Sequence, residues 1–294
     1  MGLFDIALLV LVAVVWGFNF VVIKVGIANF PPILFSALRF LFAALPLVFF
    51  LPRPAVSWRI VVGIGLVLGV VKFSLLFIGM AVGVSAGLAS LLMQSQVFFT
   101  IALAAVFYGN RPQPVQIAGI VLAFGGMALI AATVDGSFTY TGLGLVLAAG
   151  LAWAFSNMLT KKAGNVDMLA LMVWASLVPP IPLAIISLVT EGAERDIAAL
   201  QALSWEGIGA VAYIAYAATI FSFAVWGAMI RKYGVATVAP FSLLVPIFGM
   251  SFSALALGET FGPSRLASAA LVVCGLIFTV LGPRLVARRQ VQAT

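Results

Sequence analysis

Histidine is absent from this chain of 294 residues, and cysteine occurs once, as Cys274. Without imidazole there is no histidine-activated nucleophile, no histidine proton relay and no imidazole metal site. A single thiol allows neither an intrachain disulfide framework nor a thiolate cluster. Charge is scarce too, at 8% of residues, where a soluble domain carries roughly 25%. No G-x-x-x-x-G-K-[ST] stretch occurs, so a P-loop nucleotide hydrolase is excluded. The sequence calls for no cofactor and no metal.

What remains is apolar. Hydrophobic residues make up 64% of the chain, and the mean hydropathy is +1.26. Such a chain cannot hide its apolar surface within itself, so lipid must be its solvent. The 28 glycines suit close helix–helix contact in a bilayer. Ten apolar runs have spanning length: 3–27, 32–51, 59–80, 84–108, 114–133, 141–162, 168–189, 205–230, 235–257 and 263–284. Pro31-Pro32, Pro52-x-Pro54, Pro112-x-Pro114 and Pro263 punctuate them, as do Gly83, Gly136, Gly234 and Gly262. The first run lacks a basic leader and a small-residue cleavage site, so it reads as a retained helix. Only Glu191–Ser204 is long enough for a surface segment, read as a short amphipathic helix.

The net charge of +7 points to orientation in the membrane and not to nucleic acid. With the N-terminus inside, ten of the fifteen cations fall on that side, among them Arg53, Arg59, Arg111, Lys161, Lys162, Arg231, Lys232, Arg284, Arg288 and Arg289. Lys24, Arg195 and Arg265 fall outside, with Asp135, Glu191, Glu194, Asp196, Glu206 and Glu259. Both termini are therefore expected in the cytoplasm, with the chain multi-pass in the inner (plasma) membrane.

The chain also repeats itself. W-G-F-N-F-V-V-I-K at Trp16–Lys24 returns as W-A-F-S-N-M-L-T-K at Trp153–Lys161. Gly109, Pro114, Ala118 and Gly126 recur as Gly258, Pro263, Ala267 and Gly275. Two units follow, 1–136 and 137–294, each of five helices. An odd helix number obliges the second to cross in the opposite sense, and inverted repeats of this kind hold a substrate near the midplane. The expected fold is an all-α membrane protein of ten helices, two inverted five-helix repeats around a central cavity.

At these residues the chain resembles the ten-helix EamA-type exporters of the drug/metabolite transporter superfamily. The matching positions are Trp16, Asn19 and Lys24, Pro32 to Arg39, Pro246, Leu257-Gly258-Glu259 and the helix around Gly275. It looks most like the YddG-type branch, which implies export of aromatic amino acids and methyl viologen. The first half has Asn110 where the second has Glu259, so that acid is not needed twice.

Polar residues within the spans are the candidate substrate contacts, since lipid tolerates them poorly. Lys72 lies about 20 Å along the third helix from Arg59. It either meets a substrate carboxylate, bonds helix-end carbonyls or leans to the outer interface. Arg39 reads as structural, tying helix 2 to helix ends. Trp16 with Asn19, and Trp153 with Asn157, sit about one turn apart, where a ring and an amide would hold an aromatic solute. Interhelical glue is the alternative for the amides. Phe73, Tyr213, Ser222, Trp226 and Ser242 complete the expected lining. Gln94 and Gln96 should not both face one cavity on a regular helix, and Gln96 is the choice. Pro179, Pro180 and Pro182 make either a hinge or a static bend. The G-V-S-A-G at Gly83–Gly87 imitates a nucleophile elbow, but without histidine or a strand the match is accidental.

All eight acids fall in loops or at span ends. Ion coupling usually employs a buried carboxylate, so gradient-driven efflux is expected. An exporter of other metabolites or cationic drugs is the alternative. A channel would repeat charged or carbonyl rings, and an intramembrane enzyme would need a nucleophile–base pair that no spacing recommends. The expected partners are a small-molecule substrate and the bilayer. Oligomeric state stays open, a monomer being compatible.

Overall fold

A computed structural model describes residues 1–133 and 138–292. Asp135, Gly136 and the expected boundary between the units lie outside the described residues, as do the side chains of Arg284, Arg288 and Arg289. Ten helices are long and apolar enough to cross a membrane. They are α1 Leu3–Asn29, α2 Pro32–Phe49, α3 Trp58–Ala81, α4 Ala86–Tyr108, α5 Pro114–Ala132, α6 Tyr140–Ala163, α7 Met168–Gln201, α8 Trp205–Tyr233, α9 Ala239–Leu257 and α10 Pro263–Pro283. No strand occurs among the described residues.

Local chemistry sets the helix starts. Ser57, Ser85, Thr139, Asp167 and Ser204 each accept a backbone N–H of the first turn that follows. Proline opens α2, α5 and α10, where a missing N–H costs nothing. The ends of α4 and α9 also match. Each is followed by a glycine in the left-handed region, Gly109 at φ 67° and Gly258 at φ 66°, a conformation that side chains resist.

Packing follows the repeat. α1 lies along α9 and α8, while α6 lies along α4 and α3. Exchanging each helix for its counterpart five places on converts one set of neighbours into the other. α2 with α7, α4 with α9 and α5 with α10 pair with their own counterparts. The α5–α10 seam is built on small residues: a Cβ on Gly275 would lie 2.5 Å from the Gly119 carbonyl oxygen, and one on Gly126 would lie 2.8 Å from that of Ser268. Those backbones touch, as closely packed membrane helices require. Thus the second sequence echo, Gly126 and Gly275, marks one seam seen from both sides.

Several helices are irregular, and in the pairs α3/α8 and α4/α9 the irregularity repeats. π-Helical turns occupy Gly65–Lys72 in α3 and Tyr213–Phe221 in α8. α4 breaks at Met93–Gln94, and α9 begins as a tight 3-10 turn, Ala239–Leu243. α7 breaks between Ala175 and Pro180, and Pro179 there fits against Gly69 of α3, whose Cβ would come within 2.1 Å of the proline ring. Beyond the expected limit at 189 the helical path of α7 continues. The expected surface helix is present as Ala193–Gln201.

Candidate functional site

The kinks of α3, α4, α7 and α8 leave one cavity of about 460 Å³ between the halves, a size typical of small-molecule sites. Near its deep limit are Phe20, Leu76 and Ser90; at the other limit are Thr160, Met168 and Ile230. Met168 opens α7, and Thr160 and Ile230 lie three residues from the ends of α6 and α8. The cavity therefore reaches the end of the bundle where Arg59, Lys161, Lys162 and Arg231 gather, here called the basic end. Toward the opposite, acidic end it is roofed by aromatic rings. Phe40 packs on Phe73, Phe73 on Phe77, Phe77 on Phe35 and Phe35 on Phe30, with centroids 5.3–5.9 Å apart. Phe35 and Phe77 are fully buried.

Of the eleven expected contacts, nine stand on the cavity wall: Trp16, Asn19, Lys72, Phe73, Gln96, Trp153, Asn157, Trp226 and Ser242. Trp16 donates its indole N–H to the Ala218 carbonyl at 3.0 Å, and its ring packs on Trp226 with centroids 5.0 Å apart. The Lys72 ammonium stands 3.3 Å from the Phe73 centroid and 4.7 Å from that of Trp153. Both are cation–π contacts strengthened by burial. Asn157 donates to Gln96 Oε1 at 2.9 Å and Thr100 Oγ1 at 3.0 Å, so its amide also ties α6 to α4.

Tyr213 and Ser222 do not line the cavity. The Tyr213 hydroxyl donates to the Val15 carbonyl at 2.9 Å, and its ring meets Phe18 edge-on. Ser222 is fully buried and donates to the Ala217 carbonyl at 2.8 Å. The cause is the π turn, in which a hydroxyl finds the carbonyl five residues back; Thr219 does the same with Ile214. Tyr216, on the same stretch, is 43% exposed and faces outward.

The break in α4 overturns another expectation. Gln94 and Gln96 both stand on the wall, because the helix ends at Leu92 and restarts at Ser95. Adjacent turns there do not obey the regular 100° step. Gln94 donates to the Ser242 carbonyl of α9 at 3.2 Å.

Arg39, read from the sequence as structural, has a second place here. It does tie helices, donating Nη2 to Thr219 Oγ1 at 3.0 Å, but it also lines the cavity. The signal was its charge inside a span, the same signal that picked out Lys72. Among the described residues no Asp or Glu lines the cavity. The acids serve helix ends instead: Glu191 accepts the amides of Ile33 and Leu34, and Glu259 those of Ala86 and Gly87. Lys24 donates to the Met80 carbonyl at the end of α3 at 3.0 Å.

The EamA-like transporter family matches this chain twice, over residues 3–132 and 140–281, once for each half. The chain belongs to the EamA-like transporter family. It is a transporter and not an enzyme. Among EamA-like relatives, a "Probable amino-acid metabolite efflux pump" of Salmonella typhimurium is 42% identical over 94% of this chain and 95% of its own. A protein of Escherichia coli K12 with the same description is 40% identical over 95% of this chain and 96% of its own. A "Probable terminal-alkyne amino-acid exporter" of Streptantibioticus cattleyicolor is 27% identical over 97% and 96%. A crystal structure covering 93% of this chain and 98% of its own superposes with a TM-score of 0.61 at 18% identity, which shows a shared fold.

Proposed function

We propose that this EamA-like chain exports small amphipathic amino-acid metabolites, aromatic amino acids foremost, across the inner membrane by alternating access. The observation that carries this reading is the cavity wall: a lysine without a carboxylate partner among seven aromatic side chains. Lys72 takes the substrate carboxylate, and Trp16, Phe73, Trp153 and Trp226 take its ring. Asn19, Gln96, Asn157 and Ser242 supply hydrogen bonds to the polar end. The names of the relatives, amino-acid efflux pumps and an amino-acid exporter, support the same class of cargo.

The basic end is cytoplasmic in this proposal, with both termini, because lysine and arginine hold loops inside. The conformation is then open inward and sealed outward by the Phe77–Phe35–Phe30 rings. The units 1–136 and 137–294 rock against each other around the site, and one chain carries a whole cavity. With no carboxylate on the wall among the described residues, efflux runs down the substrate gradient without obligatory proton exchange. Cationic drugs fit less well, since two cations and no acid face the cavity.

Proteoliposome uptake of labelled phenylalanine and leucine, for wild type and Lys72→Ala, tests the reading. Saturable, phenylalanine-selective flux that falls in the variant is expected. Absence of any amino-acid flux would overturn it. Stoichiometric proton movement with substrate would overturn the coupling part alone.

A further inference from the structure

A single lysine–carboxylate contact leaves two features of the cavity unexplained. Arg39 is 4% exposed, and its Nε and Nη1 have no hydrogen-bond partner among the described residues. Its guanidinium carbon lies 3.9 Å from the Phe73 centroid, the ring that Lys72 approaches at 3.3 Å. Lys72, 5% exposed, makes no hydrogen bond among the described residues. Two buried cations thus lean on one ring, with donors to spare and no acid on the wall among the described residues. The second feature is an unused acceptor. Asn19 is 8% exposed, and its Oδ1 has no partner among the described residues. Trp16, one turn before it, is bonded to Ala218, and Arg39 to the adjacent Thr219, so the helix turn that carries Asn19 and the Arg39 guanidinium are tied to neighbouring points of α8.

The charges are the argument. A zwitterionic amino acid brings one negative charge to two positive ones and sets its ammonium beside them. Like charges brought together out of water cost several kcal/mol, and Asn19 offers that ammonium only a neutral oxygen. An amino acid whose nitrogen is acylated brings the same carboxylate and no cation. Its amide N–H is a single neutral donor, which one amide oxygen satisfies. Arginine presents a planar fork that matches a carboxylate with two parallel hydrogen bonds along the Nε–Nη2 or the Nη1–Nη2 edge; Thr219 takes one Nη2 N–H, and the other Nη2 N–H with the unpartnered Nε or Nη1 leaves one such edge open.

We propose that Arg39 and Lys72 form one anion subsite around Phe73, and that the preferred cargo is an N-acylated, net-anionic amino acid whose amide N–H is taken by Asn19. This rests on the amino-acid reading above and narrows it. A dicarboxylic amino acid is also anionic, but it keeps the ammonium and would set a second charge against a largely apolar, aromatic wall.

The test uses the full chain in proteoliposomes, with labelled phenylalanine and N-acetylphenylalanine compared in wild type, Arg39→Gln and Arg39→Lys. The expected wild-type result is a KM for N-acetylphenylalanine at least about tenfold below that for phenylalanine. Arg39→Gln brings the two KM values toward equality, and Arg39→Lys recovers part of the difference. Equal KM values in the wild type, or preference for free phenylalanine, overturn the inference and leave the exporter reading intact. An unchanged ratio in a folded Arg39→Gln protein removes Arg39 from the subsite. Should that variant fail to fold, the wild-type ratio and Asn19→Leu, expected to narrow it, decide. Failure of both substrates to move overturns the exporter reading itself.

Discussion

Glu259, at the end of α9, accepts a hydrogen bond at 2.7 Å from the amide of Ala86, which opens α4 in the other half of the chain. The other carboxylate oxygen accepts the next amide, that of Gly87, at 3.0 Å. One side chain thus satisfies two of the four orphan N–H groups of a helix start and places a negative charge at its positive end. Glu191 does the same for α2, with Ile33 at 2.9 Å and Leu34 at 3.0 Å. Both clamps sit at the acidic end, above the aromatic seal, and hold helix starts that lipid could not have satisfied.

Glu259→Ala should therefore cost about 1–2 kcal/mol of stability, the scale of a lost N-cap. For a chain of this size that lowers the melting temperature by about 2–8 °C. Thermal unfolding in detergent measures it, with Glu191→Ala as the parallel case at α2. A melting temperature unchanged in both variants would contradict the clamp.

At the α5–α10 seam, Gly275→Leu drives a branched side chain into the Gly119 carbonyl, 2.5 Å from the new Cβ. Overpacking of this kind costs about 1–3 kcal/mol. Gly125→Ala, on the same α5 helix, meets nothing within 4 Å. It should leave the melting temperature unchanged or raise it slightly. Equal effects of the two would show that the seam is looser than its backbone contact indicates.

Asn157→Leu removes the donor shared by Gln96 and Thr100. Polar contacts between membrane helices average about 0.6 kcal/mol, so the protein should remain folded with a melting temperature only a few degrees lower. The amide of Gln96 is then free to turn, and the substrate KM should rise several-fold. Flux assays and thermal unfolding of the same preparation separate the two effects.

Off the cavity, Tyr213→Phe and Ser222→Ala should leave the KM within about twofold of wild type while costing about 1 kcal/mol each in stability. Trp226→Ala, on the wall against Trp16, should raise the KM for an aromatic substrate about tenfold. A large KM effect at Tyr213 with none at Trp226 would reverse their placement.

The spans, the doubling and the family were legible in the sequence because they depend on averages and on order. Twenty apolar residues cross a bilayer whatever their neighbours do, and a repeat of five helices must invert by counting alone. Cations inside the spans, Lys72 and Arg39, were visible for the same reason: a charge in lipid needs somewhere to point. The faces of the helices were less legible. Reading them assumes a 3.6-residue turn, and the cavity is built where that turn fails. The π stretch of α8 carries Tyr213 and Ser222 away from the cavity, and the break in α4 lets Gln94 join Gln96 on its wall.

Sequence alone determined an apolar, ten-helix, twice-built chain with a lysine inside its third span, since each of these follows from composition, spacing or parity. Tertiary structure alone decided that Arg39 shares a ring with Lys72, that Glu259 caps a helix 173 residues away, and that Gln94 joins Gln96 on the cavity wall. Those are contacts between segments distant along the chain. They are set by how kinked helices pack against one another, and no local preference of a residue encodes the place where its neighbour's helix will bend.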